Sequence, residues 1–190
     1  MVTKELLIEF GTFLRERNLS ADMTVAGGTA LNLLKISNRD TRDVDVVEPD
    51  RLPPLIQIAA LDFAQDPSRG LDASWLNTAA RIYADPLPKG WADRATVALE
   101  TPGLIVRALD RGDLLKLKTY ALCKRGKDLS DCVALQPTPE ELEDTRNWLT
   151  NLKRDKDWPR DLSVGWKLLT RELEKSRQVE RNDDFEPDMD

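Results

Sequence analysis

The sequence predicts an α/β (α+β) domain, in which helices flank a mixed β-sheet and a helical half follows at the carboxyl end. Three observations support this prediction. Short runs rich in β-branched residues at 23–26, 43–48 and 96–109 indicate strands. Stretches with apolar residues at helical spacing lie between these runs. Beyond residue 110 the periodic stretches are all of the helical kind.

The amino-terminal part alternates between helix and strand. Apolar residues at helical spacing between Leu6 and Leu14 indicate an amphipathic helix. A short strand ends at Gly27-Gly28, and the next helix begins directly after this glycine pair. The run DVDVVE reads as a second strand. The predicted elements are a helix over 3–18, a strand over 23–26, a helix over 29–36 and a strand over 43–48.

Proline residues mark the next boundaries. Pro53-Pro54 and Pro139 suit the first turn of a helix, because proline lacks the N–H that this turn leaves unpaired. Thr101-Pro102-Gly103 indicates a turn between two strands. The predicted elements are helices over 55–63 and 74–80, strands over 96–100 and 104–109, and helices over 111–124, 128–135, 139–152 and 161–177. We expect a domain over 1–135, a helical extension over 136–178 and a disordered acidic tail over 179–190.

Composition excludes several classes of protein. Apolar residues make up 41% and charged residues 33%, which is typical of a soluble globular chain. No apolar run approaches the roughly 18 residues that a membrane-spanning helix needs. The amino terminus has charges throughout and does not resemble a signal peptide. We therefore expect a cytoplasmic protein without membrane contact, with Cys123 and Cys132 reduced and packed in the core.

The chain contains no histidine. Serine–histidine and cysteine–histidine catalysis are thereby excluded, as is nearly every catalytic zinc site. Chemistry must rely on carboxylates, lysine, hydroxyls, backbone amides or a metal with oxygen ligands. The net charge is −6, but residues 181–190 hold five acids and one arginine, so the body is close to neutral and a polyanionic partner is compatible with it.

Two short motifs between residues 25 and 47 point to chemistry. Asp43 and Asp45 would lie on one face of a strand, with Cα atoms about 6.5–7 Å apart. Such a pair can hold one or two hard cations that neutralise a triphosphate and lower the pKa of an attacking hydroxyl. Gly27-Gly28 can present backbone N–H groups and the helix dipole to phosphates, with the Thr29 hydroxyl as a further donor. Each motif alone also has a structural explanation, namely a surface strand or a tight turn.

The combination resembles a known superfamily. GGTALNLL and RDTRDVDVV are similar to the signature of the DNA polymerase β-like nucleotidyltransferases. DLLKLKTYALCKRGKDLSDCVAL, at 113–135, is similar to the second half of bacterial AbiEii-type toxins and their uncharacterised relatives. The resemblance implies a nucleotidyltransferase-like fold with NTP as substrate and with Mg²⁺ (or Mn²⁺) at Asp43 and Asp45. It implies catalytic roles for Lys118 and Asp128.

Several candidate residues have alternative explanations. Lys118 lies on the apolar stripe of its predicted helix, where it needs an anionic partner, and a structural ion pair would also explain it. Asp128 and Asp131 precede an apolar run as an N-cap and acidic N3 residue would. Arg39 and Thr41 alternate with Asp43 and could bind nucleotide or make structural pairs.

Three further predictions concern the surroundings of these residues. The third carboxylate of the superfamily would be Glu100 or Asp128. Lys116 is expected on a solvated side of its helix. The turn with Lys124, Arg125 and Lys127 could meet a phosphate backbone or be merely solvated.

These residues predict a Mg²⁺-dependent nucleotidyltransferase. By resemblance, the acceptor would be an RNA 3′ end such as that of tRNA, in a bacterial toxin–antitoxin or phage-defence setting with a cognate antitoxin or regulator protein. One alternative is transfer to a protein or small-molecule hydroxyl. Another is a catalytically silent nucleotide-binding or interaction module.

Overall fold

The computed structural model describes the backbone of residues 1–152 and 154–183 and side chains as far as residue 178. By their internal contacts the residues group into two compact units, one over Met1–Leu114 and one from Leu115 onward. Most of the predicted domain, 1–135, falls in the first unit. Part of the predicted tail, 184–190, lies outside the described residues.

The first unit contains a mixed five-stranded sheet. Its strands are β1 (Ala21–Val25), β2 (Val44–Glu48), β3 (Leu76–Asn77), β4 (Thr96–Thr101) and β5 (Leu104–Ala108). They lie in the order β3-β2-β1-β5-β4. β1 is parallel to β5 and antiparallel to β2, β3 is parallel to β2, and β4 is antiparallel to β5. The predicted α/β fold with a mixed sheet is confirmed.

Helices of the first unit pack on this sheet. They are α1 (Lys4–Glu16), α2 (Gly27–Leu33), α3 (Pro54–Ala64), α4 (Arg81–Ala84) and α5 (Trp91–Arg94), with a short 3-10 helix at Pro67–Arg69. α1 contacts β4 and β5, and α2 contacts β2 and β5. Phe10, Phe63 and Trp75 form a buried aromatic cluster, and the Trp75 indole N–H donates to the carbonyl of Ala60 at 3.0 Å.

The predicted helix over 74–80 is wrong. Residues 76–77 instead form β3, in which Leu76 pairs with Val44 and Asn77 with Asp45. The Asp72 carboxylate accepts from the backbone N–H of Ser74 and holds the chain in a turn just before this strand. Pairing with a distant strand and burial of Trp75 outweigh the local preference for helix.

The second unit is helical. The boundary between the units falls within α6 (Arg111–Arg125), so most of this helix belongs to the second unit. The other helices of the second unit are α7 (Leu129–Ala134), α8 (Pro139–Asn151) and α9 (Trp158–Asp183). Thr138 and Glu141 form a reciprocal capping box at the start of α8. The buried apolar core of the second unit includes Leu122, Cys132, Leu169 and Leu173. Within the described part of the chain, no helix is long and apolar enough to span a bilayer.

Candidate functional site

The end of β1 and the start of β2 meet at one edge of the sheet. The two strands are antiparallel, with Val25 opposite Val46. The backbone N–H of Ala26 donates to the carbonyl of Asp45 at 2.9 Å. This pairing places the Gly27-Gly28 turn, which follows β1, beside the segment that carries the two aspartates.

Gly27 is needed for this close approach, and Gly28 has little free space beside it. Gly27 has φ +67°, and a Cβ built on it would lie 2.2 Å from Oδ2 of Asp45. A Cβ on Gly28 would lie 3.1 Å from Oγ1 of Thr41 and 3.7 Å from a guanidinium nitrogen of Arg39. The glycine pair therefore does more than turn the chain, because each residue makes room for a side chain of the 39–45 segment.

Two hydroxyls fix the backbone of Asp43. Oγ1 of Thr29 donates to the Asp43 carbonyl at 2.8 Å, and Oγ1 of Thr41 donates to the same oxygen at 3.2 Å. Both threonines are buried, with 2% and 7% of their surface exposed. Thr29 was predicted as a donor to phosphate, and Thr41 as either a nucleotide ligand or a structural partner; the contacts of both hydroxyls here are with the backbone of Asp43.

The aspartates differ in exposure. Asp43 is exposed and lies one residue before β2, and Asp45 is half-buried within the strand. Among the described residues, no group of three or more Asp, Glu, Cys or His side chains is placed to hold a metal ion. Two carboxylates nevertheless fit Mg²⁺ or Mn²⁺, because Mg²⁺ is usually held by one or two carboxylates together with the phosphates of the substrate. The absence of a Cβ at Gly27 leaves room for Oδ2 of Asp45 beside the turn.

The first turn of α2 has no side-chain cap. Its N-cap residue is Ala26, whose methyl side chain cannot accept from the first N–H groups of the helix. α2 has seven residues, which is about two turns. Phosphate binding would therefore rely on these local N–H groups more than on the helix dipole.

Lys118 and Asp128 belong to the second unit, where they form a buried ion cluster. Nζ of Lys118 lies 3.0 Å from Oδ1 of Asp128 and 2.6 Å from Oδ2 of Asp131. The Lys118 side chain is 10% exposed, and those of Asp128 and Asp131 are 13% and 2% exposed. Lys118 thus has the anionic partners that its place on the apolar stripe requires.

The capping explanation for Asp128 is wrong. Asp128 occupies the N-cap position of α7, but its φ is +71° and its side chain makes no capping hydrogen bond. Instead, its carboxylate binds Lys118 and lies 3.4 Å from a guanidinium nitrogen of Arg125. The left-handed backbone, which aspartate tolerates better than most residues, therefore serves to aim the carboxylate at the lysine.

The neighbouring cations are largely engaged by acids. Lys124 contacts Asp155 at 3.0 Å and Asp161 at 3.1 Å, and these hydrogen bonds lower the pKa of both carboxyls. Together with the contact between Arg125 and Asp128, this weakens the hypothesis of a basic turn for nucleic acid. The expected solvation of Lys116 is also wrong, because Lys116 is 6% exposed and pairs with Asp144.

The two cysteines of the second unit are buried and free, as expected. Burial raises the pKa of the Cys132 thiol to about 12 and that of Cys123 to about 11. Both thiols therefore stay protonated at neutral pH.

Glu100 is far from the glycine–aspartate edge. Val25, at the end of β1, pairs with Ala108 of β5, whereas Glu100 of β4 pairs with Ile105 of β5. Ile105 and Ala108 are three residues apart along β5, which is a distance of roughly 10 Å. β4 is also three strands away from β2, which adds roughly 14 Å across the sheet. Glu100 therefore does not supply the third carboxylate at this edge.

Another carboxylate, Asp110, was not among the candidates that the sequence motifs indicated. The N–H of Leu109 donates to the carbonyl of Val25 at 3.1 Å, so Asp110 lies just beyond the end of β5, on the edge that carries Gly27. Its Oδ1 accepts from the N–H of Gly112 at 2.8 Å, which makes it a helix-start residue in this structure. Its position directly after a parallel strand was the signal that could have identified it.

The seven site residues of the first unit lie together at one edge of the sheet. They are Gly27, Gly28, Thr29, Arg39, Thr41, Asp43 and Asp45. A model of the family described as "Nucleotidyltransferase of unknown function (DUF6036)" matches residues 5–136, which is more than half of the chain. No curated protein sequence and no solved structure matches significantly.

Proposed function

The chain belongs to this nucleotidyltransferase family, and we propose that it transfers a nucleoside monophosphate from an NTP to a hydroxyl group. The acceptor oxygen attacks the α-phosphorus, the bond to the β-phosphate oxygen breaks, and pyrophosphate leaves while the hydroxyl proton passes to solvent. The observation that carries the proposal is the contact of the Gly27-Gly28 turn with the segment that bears Asp43 and Asp45.

Each residue has a role in this proposal. Asp43 and Asp45 would hold Mg²⁺ or Mn²⁺, which when bound neutralises phosphate charge and lowers the pKa of the attacking hydroxyl. The N–H groups of Gly28 and Thr29 would donate to phosphate oxygens. Arg39, whose guanidinium lies beside Gly28, would add positive charge there.

The finer proposal rests on the resemblance to AbiEii-type toxins. In it the acceptor is an RNA 3′ end such as that of tRNA, and the setting is toxin–antitoxin or phage defence in bacteria. The same resemblance implies catalytic roles for Lys118 and Asp128. Their mutual ion pair supports a defined orientation of both groups.

The proposal is tested with labelled NTPs, Mg²⁺ and total tRNA. We expect label to appear on RNA with the wild-type chain and to be reduced at least 100-fold by Asp45→Asn, because removing one positioned charge in such a site costs about 3 kcal/mol or more. Asp62→Asn, an exposed substitution on α3, is the matched control and should transfer normally. Transfer that persists in Asp43→Ala and in Asp45→Asn would refute the assigned site. Label on a co-expressed protein or a small molecule would reassign the acceptor.

A second candidate function is a nucleotide-binding module without transferase activity. It is favoured by the absence, among the described residues, of a third carboxylate grouped with Asp43 and Asp45. In that case NTP and Mg²⁺ would raise the melting temperature of the wild-type chain, and transfer would be undetectable with RNA, protein and small-molecule acceptors alike.

A further inference from the structure

The helix α3 carries apolar residues on two opposite sides, and the first unit covers only one of them. Ile56, Ala59 and Phe63 are buried on the covered side. On the other side Leu55 is 61% exposed and Ile58 is 54% exposed. A helix that is apolar on both sides is normally buried on both, and contiguous exposed apolar surface marks a site of interaction. We infer that the exposed side of α3 is the contact between two copies of this chain.

The exposed side of α3 forms a ridge with an acid at one end. Leu55, Ile58 and Asp62 make up this ridge, because residues three and four positions apart are neighbours on a helix surface. Asp62 is exposed, and its carboxylate forms no ion pair within the part of the chain that the structure describes.

A groove with a volume of about 270 Å³ lies along α3, next to the ridge. α3 lines the groove with Leu61, which is 46% exposed, and other elements contribute the apolar side chains of Leu52 and Leu76. Arg51 belongs to the polar part of the lining and is exposed. Among the described residues the Arg51 guanidinium, like the Asp62 carboxylate, has no ion-pair partner.

The ridge and the groove complement each other in polarity and in charge. An apolar ridge with an acid lies beside an apolar groove with a base, and the two charges do not pair within one chain. A two-fold axis that passes between ridge and groove places the ridge of each copy in the groove of the other, so both contacts form together. Asp62 of each copy would then meet Arg51 of the other. This self-complementarity favours a second copy as the occupant.

The contact is small. α3 has 11 residues and is therefore roughly 16 Å long. One helix face and one groove from each copy belong at the lower end of the ~1,200–2,000 Å² that specific interfaces bury, so we expect a reversible dimer with a Kd on the order of 10 µM.

Sedimentation equilibrium of the full chain between about 1 and 200 µM tests the inference. We expect the weight-average mass to rise with concentration from that of the monomer toward that of the dimer. Ile58→Lys should keep the chain monomeric over this range, because it places an unpaired ammonium group in the apolar part of the contact. Leu168→Lys, at a residue of α9 that is 43% exposed, is the matched control and should dimerise like the wild type. A wild-type chain that stays monomeric, or equal effects of the two lysine variants, would overturn the inference.

Exchange of the two charges tests the ridge-in-groove contact itself. Arg51→Glu should weaken association at least tenfold, because it sets two acids against each other at each of the two contacts. Arg51→Glu combined with Asp62→Arg should restore association, since the ion pair forms again with its charges reversed, and thermal melting shows whether each variant is folded. A double variant that is folded and does not recover would contradict this contact. A full chain that is monomeric and dimerises only after removal of residues 184–190 would make that segment the occupant and would also overturn the inference.

Discussion

Substituting Gly27 by alanine is the sharpest test of the site, because this residue combines a left-handed backbone with a close contact to Asp45. Its φ is +67°, and the added Cβ would lie 2.2 Å from Oδ2, 3.2 Å from Cγ and 3.3 Å from Cβ of Asp45. The first of these distances is too short for any pair of atoms that are not bonded, so the carboxylate must move.

Gly27→Ala should have two effects, a loss of stability and a loss of NTP binding. The left-handed backbone costs an alanine about 1–2 kcal/mol. For a chain of this length, that corresponds to a fall of roughly 2–8 °C in the melting temperature. Moving the Asp45 carboxylate adds a functional loss, and we expect Mg²⁺-dependent NTP binding to weaken at least tenfold because one of two proposed metal ligands is displaced.

The control variant Gly70→Ala separates the loss of stability from the loss of NTP binding. Gly70 has φ +57°, and a Cβ built on it would meet nothing within 4 Å. Both variants should therefore lose similar stability in thermal melting, and only Gly27→Ala should lose NTP binding in calorimetric titration with Mg²⁺. Full NTP binding by Gly27→Ala would contradict the assigned role of the Gly27–Asp45 contact.

Three further predictions concern the second unit. Lys118→Met removes the cation that Asp128 and Asp131 share, while Asp128 keeps its 3.4 Å contact with Arg125, and should cost about 3–5 kcal/mol in chemical denaturation. The exposed Lys127→Met should change stability little, and equal effects of the two variants would show that the ion cluster contributes nothing to stability. The raised thiol pKa values predict that the free energy of unfolding declines as pH rises above 9. Thiols of the unfolded chain ionise near 9.0, whereas Cys123 and Cys132 of the folded chain stay protonated up to about 11 and about 12. The variant with both cysteines replaced by alanine should show a shallower decline between pH 9 and 11 in urea denaturation. A thiol reagent at pH 8 should label both cysteines slowly in the native protein and rapidly in urea, and rapid native labelling would disprove their burial.

Local patterns were sufficient for most of the secondary structure. The helix α1, the strands β4 and β5 and the helix α8 were predicted within a few residues, because periodicity, turn residues and a capping box are properties of adjacent positions. β3 was missed, because two residues of strand are defined by their partner β2 and carry almost no pattern of their own.

The site shows the same division. The motif spacing and the resemblance to a superfamily signature together selected Gly27, Gly28, Asp43 and Asp45. Their proximity at one sheet edge follows from the antiparallel pairing of β1 with β2. The contact between Gly27 and Asp45 could not be foreseen, because it depends on the register of that pairing.

The second unit shows most clearly what tertiary structure decides. Helical spacing was enough to show that Lys118 lies on the apolar stripe of a helix and needs an anion. It could not decide between a capping and a catalytic role for Asp128, because both fit the same spacing. The backbone of Asp128 at φ +71° and its 3.0 Å contact with Lys118 show that the carboxylate pairs with the lysine and does not cap α7. Helical periodicity thus predicts on which face of α6 the Lys118 side chain lies. The partners of its ammonium group, Asp128 and Asp131, are known only from the tertiary structure.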